Sequence, residues 1–276
     1  MLLDSSSPRT LGVGEHPVLR FGREHAPEDS WPGRRLMFLR EAPAFELSHF
    51  CGTCQVLFKR LDGANETLSQ VEVEPQLTAG LSHVDDAVVE TFGGLLPAGR
   101  YVPMLLSIQP RLILPARPGD YFSEEQIATW GVDPFWGLPE YPQTPYYRTW
   151  QAPVDDERHL FEFVVPMVPP SWNDRTRVKE YEQLLAASST PTAVAVTLLD
   201  IAAPAVAAAD ATDYFEHWGL MHFLLDGHHK VQAAARTGRS VRLLSLLAID
   251  FSNASAEDAQ AIPDLRRLPE ASRKNR

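Results

Sequence analysis

Residues 220–249 constrain the fold more than any other stretch of the chain. Residues 220–225 form an apolar run that ends at Asp226, Gly227 permits a sharp turn, and a helix is predicted over residues 228–237. Val231, Ala234, Ala235 and Gly238 recur at i, i+3, i+4 and i+7, which gives that helix one apolar side. The small residues at 233–235 let it lie close against a sheet. Gly238 ends the helix, and residues 241–249 are again nearly all apolar. Strands without polar alternation are covered on both faces, so strand, helix and strand in this order predict an α/β protein with a mostly parallel or mixed sheet.

The same pattern extends upstream. Residues 160–167 read as a strand, residues 174–187 as a helix with Val178, Tyr181, Leu184 and Leu185 on its apolar side, and residues 192–201 as a strand. An Ala-rich connection and a short segment over 213–218 follow. Residues 158–276 are therefore expected to form one α/β domain, preceded by an α+β region over 1–157. In that region residues 1–35 are an irregular lead-in, and the runs LMFLR, FELSHF and QVLFKRL suggest strands, with a hairpin around Cys51-Gly52-Thr53-Cys54. Residues 74–95 fit one helix, with Leu77, Leu81, Val84, Val88 and Phe92 on one side. Extended structure follows, with breaks at Pro103 and Pro110, and Ser123-Glu124-Glu125-Gln126 has the capping-box pattern of a short helix ending near Gly131. Residues 132–157 carry many prolines and aromatic rings (Phe135, Trp136, Tyr141, Tyr146, Tyr147, Trp150) and are expected to be an ordered loop or connection.

Charge limits the partners. Residues 1–157 hold 12 basic and 22 acidic side chains, and residues 158–276 hold 13 and 14. Nucleic-acid affinity rests on cations that neutralise phosphates, so this balance argues against DNA or RNA. A small anionic ligand stays compatible with one locally positive pocket. No run approaches the roughly 20 apolar residues of a membrane helix. The polar start and the two cysteines, with no disulfide framework beyond that pair, make cytoplasmic residence the expectation.

The chemistry concentrates at Asp226-Gly227-His228-His229-Lys230. Free backbone N–H groups and the helix dipole make a helix N-terminus an anion site, and two histidines and a lysine stand there to add hydrogen bonds. Strand–glycine–helix junctions are also common structural features of α/β proteins. The run resembles the D-G-H-H-R turn of ParB-like domains, including ParB-like free-serine kinases, and the G-C-H-R turn of sulfiredoxin in the same superfamily. The resemblance spans roughly residues 158–250. It implies that the turn holds nucleotide phosphates: Gly227 matches the turn glycine, His229 the histidine before the basic position, and Ala233 to Ala235 the small residues that follow. His228 replaces the sulfiredoxin cysteine, so cysteine-dependent reduction is not implied. Lys230 replaces arginine and lacks its bidentate fork.

Other candidates surround this turn. Trp172, Asn173, Asp174 and Arg175 follow a strand end, as the turn does, so both could face one pocket. Trp172 would stack on a base and its neighbours would bind phosphate, metal or substrate; equally, Ser171 or Asn173 caps the helix and Trp172 packs in the core. Asp226 fits a general base, a magnesium ligand or a helix cap. Cys51 and Cys54 fit half of a zinc site, with His49 or His83 as further ligands, or a redox dithiol, or two small buried residues on a turn. The acidic-aromatic segment over residues 119–150 fits either a lid over the pocket or aromatic packing between the two halves. The resulting expectation is a nucleotide-binding enzyme that uses ATP or ADP with magnesium to transfer a phosphoryl group to a small molecule. The alternatives are a non-catalytic nucleotide-sensing module that contacts a protein partner and, least favoured by charge, a nuclease.

Overall fold

A computed structural model describes residues 1–24, 33–132, 142–205 and 215–268. Among them nine strands form one mixed sheet. Its order is β1 (Leu2–Ser5), β7 (Gly99–Ile108), β13 (Val241–Ala248), β11 (Thr192–Ala202), β12 (Glu216–Asp226), β10 (Arg158–Pro166), β9 (Tyr146–Pro153) and β8 (Arg111–Ile113), with β2 (Arg9–Leu11) also along β7. β10 runs parallel to β12 and β11 parallel to β13, while β11 and β12 are antiparallel. The sheet takes strands from both sides of residue 157. A second sheet of four antiparallel strands holds β3 (Leu19–Arg23), β4 (Arg35–Leu39), β5 (Ala42–Leu47) and β6 (Phe58–Arg60).

Side-chain alternation gives the large sheet two buried faces. One face (Phe161, Phe163, Val194, Val196, Phe223, Leu246) packs on the small sheet and on α2 (Asp86–Gly93), through Phe45, Phe58 and Phe92. The other (Leu160, Val164, Ala195, Leu220, Leu224, Leu243) carries α4 (Arg175–Ala186), α5 (His228–Thr237) and α6 (Ala256–Leu265) through Val178, Val231, Ala234 and Ile262. This is the α/β arrangement that the uninterrupted apolar strands predict.

Several local expectations change. The helix over 74–95 is two helices, α1 (Glu74–Ala79) and α2. Gly80 sits at φ 92°, where a Cβ would meet the Thr190 carbonyl oxygen at 2.2 Å, and the Asp85 side chain caps α2 by accepting from the Val88 amide. The apolar spacing persists across the break because both pieces bury the same side. β7 continues through Pro103, which lies where its neighbour passes from β1 to β2. The capping box does not form: Ser123 donates to the Asp120 carbonyl, and α3 (Glu125–Trp130) starts without a side-chain cap. Residues 146–153, expected as loop, are strand β9. Phe135, Trp136 and Tyr141, and the start of the 213–218 segment, lie outside the described residues. Among the described residues no helix is long and apolar enough to cross a membrane.

The hairpin around the cysteines forms between β5 and β6. Zinc at Cys51 and Cys54 is corrected: the two sulfurs are joined in a disulfide, so neither is a thiolate ligand. Among the described residues no group of three or more His, Cys, Asp or Glu side chains is placed to hold a metal.

Candidate functional site

The turn forms where β12 leaves the sheet. Gly227 adopts the left-handed conformation at φ 92°, and an added Cβ would lie 2.5 Å from that of Ala193 on neighbouring β11. Glycine is required twice over, by backbone angle and by space. As the residue before α5, Gly227 offers no side chain to accept from the first amides of the helix.

The two predicted loops do meet. β10 and β12 are parallel, so the Trp172–Arg175 loop and the Asp226–Lys230 turn leave the same end of the sheet. His228 is buried and its Nε2 accepts from the Met167 amide at 3.1 Å. His229 Nε2 accepts from the Asp174 amide at 3.1 Å. Asn173 Nδ2 donates to Gln232 Oε1 at 2.9 Å and to the His228 carbonyl at 3.3 Å. Asp174 caps α4 by accepting from the Thr176 amide. Trp172 is 59% exposed and does not pack in the core; the Arg60 guanidinium lies 5.5 Å from the centre of its ring. Arg175 is exposed at the first position of α4.

Lys230 and Asp226 face each other within this end of the sheet. The Lys230 ammonium is buried, 2.9 Å from the Thr192 carbonyl oxygen and 3.2 Å from Asp226 Oδ2. Asp226 Oδ1 accepts from Ser69 Oγ at 2.5 Å. Burial pushes the Asp226 carboxyl up, but Lys230 and the Ser69 hydroxyl outweigh it and hold the group below the usual carboxylate value. Both carboxylate oxygens are engaged, and no further carboxylate joins Asp226 in a ligand cluster among the described residues.

Burial lowers the His228 imidazole to about 4, against the opposing pull of Asp226. The ring is therefore neutral at pH 7. Because Nε2 is an acceptor, its proton sits on Nδ1. That Nδ1 is buried and has no hydrogen-bond partner among the described residues. Burial and the nearby Arg177 also lower His229. The end of the sheet thus holds a buried N–H donor on the first residue of an uncapped helix, and Asn173 ties the loop that carries the exposed Trp172 to that helix.

Sequence reasoning missed Ser69, Arg60, Arg177 and the Met167 amide. All four come from chain segments away from the turn, and no local pattern marks them. The described aromatic residues of the 119–150 segment are core: Tyr121, Phe122, Tyr146 and Tyr147 are buried, and Tyr121 bonds His217 at 2.7 Å. No family model matches the chain, and no curated protein or solved structure matches it.

Proposed function

We propose that the N-terminus of α5 binds a small phosphate-bearing molecule of the nucleotide class, and that the protein is a binding or sensing module. The supporting observation is the Nδ1–H of His228. The Met167 amide fixes this tautomer, the donor is buried without an acceptor among the described residues, and it sits on the first residue of a helix whose cap residue, Gly227, makes no side-chain bond. A buried donor left unmatched costs about 1–3 kcal/mol, which a bound phosphate oxygen would recover. Trp172 supplies a face on which a base can stack.

Phosphoryl transfer fits this arrangement less well. Lys230 is committed to Asp226 and Thr192, so it is not presented as a phosphate clamp, and Asp226 is not an unengaged base. The testing experiment is calorimetric titration with ATP, ADP, GTP, CTP and inorganic phosphate, with product analysis of each mixture. Nucleotide binding without turnover, weakened about tenfold in Trp172→Ala, is the expected result. Trp172 is exposed, so that variant should fold. No heat with any of the five compounds would refute the reading. Release of ADP or phosphate would return the phosphoryl-transfer assignment.

A further inference from the structure

The Cys51–Cys54 pair lies at the opposite end of the large sheet. Its loop meets the end of β11, where the Ala203 amide donates to the Gly52 carbonyl at 2.8 Å, whereas the α5 turn lies at the start of that strand. Ser48 Oγ closes the base of the loop, accepting from the Leu57 amide at 2.8 Å and donating to its carbonyl at 3.3 Å. Two other segments, α3 and the stretch after β13, hold the middle. Trp130 Nε1 donates to the Thr53 carbonyl at 3.0 Å, Asn253 Nδ2 donates to the His49 carbonyl at 2.8 Å, and Gln126 Nε2 donates to the Val56 carbonyl.

A disulfide stabilises chiefly by shortening the unfolded chain, and less the fewer residues it encloses. This one joins positions three apart, in a loop that hydrogen bonds already fix. It contributes little to holding the fold. It is also accessible: Cys51 is exposed and Cys54 half-buried. Thr53 Oγ1 lies 3.9 Å from Cys51 Sγ, on the donor side. Beside Cys51 stands Phe50, 43% exposed, with the Arg23 guanidinium 4.0 Å from its ring centre. An attacking thiolate is an anion, so this cation favours its approach.

We infer that Cys51 and Cys54 form a reversible thiol–disulfide exchange site for small thiols, with Cys51 as the entry sulfur. A thiolate attacks Cys51 Sγ, the Cys51–Cys54 bond breaks, and Cys54 leaves as thiolate and takes a proton from water. A second thiolate then attacks the thiol-derived sulfur of the mixed disulfide. This releases Cys51 as thiolate and the co-reactant as its own disulfide. Two electrons pass from the thiols to the protein pair, and the reverse sequence reoxidises it. The site is independent of the α5 turn.

The test uses the intact chain in buffers of reduced and oxidised dithiothreitol, quenched with acid, alkylated and weighed by mass spectrometry, with circular dichroism recorded in parallel. The expected result is a reversible two-electron equilibrium in the native protein, with the far-UV spectrum unchanged on reduction. Oxidised glutathione added to Cys54→Ser should form the mixed disulfide at Cys51 at least tenfold faster than Cys51→Ser forms one at Cys54. A pair that stays oxidised in excess dithiothreitol until the protein is denatured would overturn the inference. So would reduction that unfolds the chain, or equal adduct rates in the two variants. The wild-type titration decides even if a variant fails to fold.

Discussion

Gly227 carries two constraints at one atom, the left-handed backbone and the 2.5 Å approach to Ala193. Gly227→Ala therefore has no relaxed conformation and is expected to lose about 2 kcal/mol or more in urea denaturation. A neutral result would mean that β11 and the turn can part without cost. Lys230 offers a related case. Its ammonium is 3% exposed and its partner carboxylate 15% exposed, so removing the lysine strands a buried charge. Lys230→Met should cost roughly 3 kcal/mol, and the double variant Lys230→Met/Asp226→Leu should recover much of that loss. Additive losses in the cycle would show that the pair is not coupled. The pH dependence has a fixed sign. The Asp226 carboxyl is depressed from its ordinary 3.8, so its contribution is present above that value and disappears as pH falls through the folded one.

At the scale of elements, the least expected feature is a polar row across four adjacent strands, on the face beneath α6. Ser245 Oγ lies 2.8 Å from Thr197 Oγ1, which lies 2.7 Å from His222 Nδ1. His222 Nε2 is 3.3 Å from Glu162 Oε1, and Arg266, just beyond α6, closes the row at 2.7 Å from the same oxygen. Burial raises the Glu162 carboxyl, but Arg266, His222 and Thr149 overcome it and hold it far below the ordinary range. α6 is thus fastened by a buried charge as well as by Ala259 and Ile262. Arg266→Ala should cost about 3–5 kcal/mol, because it leaves the Glu162 carboxylate buried without its guanidinium; a loss below about 1 kcal/mol in denaturant melts would exclude the latch. Why this was illegible is physical. A period-2 strand announces which side chains share a face, but not which strands become neighbours, and Glu162, Thr197, His222 and Ser245 meet only through the sheet order. The strand–turn–helix around Gly227 was legible because its signals are local: a glycine that the turn needs, small residues at helical spacing, and apolar runs on either side. The break at Gly80 was hidden by the continuous apolar side of α1 and α2. β9 was hidden by prolines that flank it and one that ends it.

At the scale of the molecule, the two sheets are joined through a buried ion pair. Arg35 of the small sheet meets Asp200 of the large one at 2.6 Å, and its guanidinium also donates to the Phe251 carbonyl. Histidines lie near both ends of the large sheet. Burial lowers His228 at one end and His159 at the other to about 4, the latter aided by the positive charge of Arg148. His217, packed between Tyr121 and Thr129, is held well below its ordinary value by burial. In the unfolded chain each would protonate near 6.5. Between pH 6.5 and 4 the unfolded state therefore binds more protons than the folded one, and stability must fall as pH falls through that window. Each fully buried histidine contributes up to about 1.4 kcal/mol per pH unit, and the more exposed His159 contributes less. The depressed carboxylates Asp226 and Glu162 act in a separate window, below the ordinary carboxylate values. Guanidinium melts at pH 7, 6 and 5 should thus show a loss that steepens below pH 6.5. His217→Gln should flatten that slope by about 1.4 kcal/mol per unit, whatever it does to stability at pH 7. Flat stability from pH 7 to 5, or an unchanged slope in the variant, would mean that these imidazoles accept protons within the folded protein.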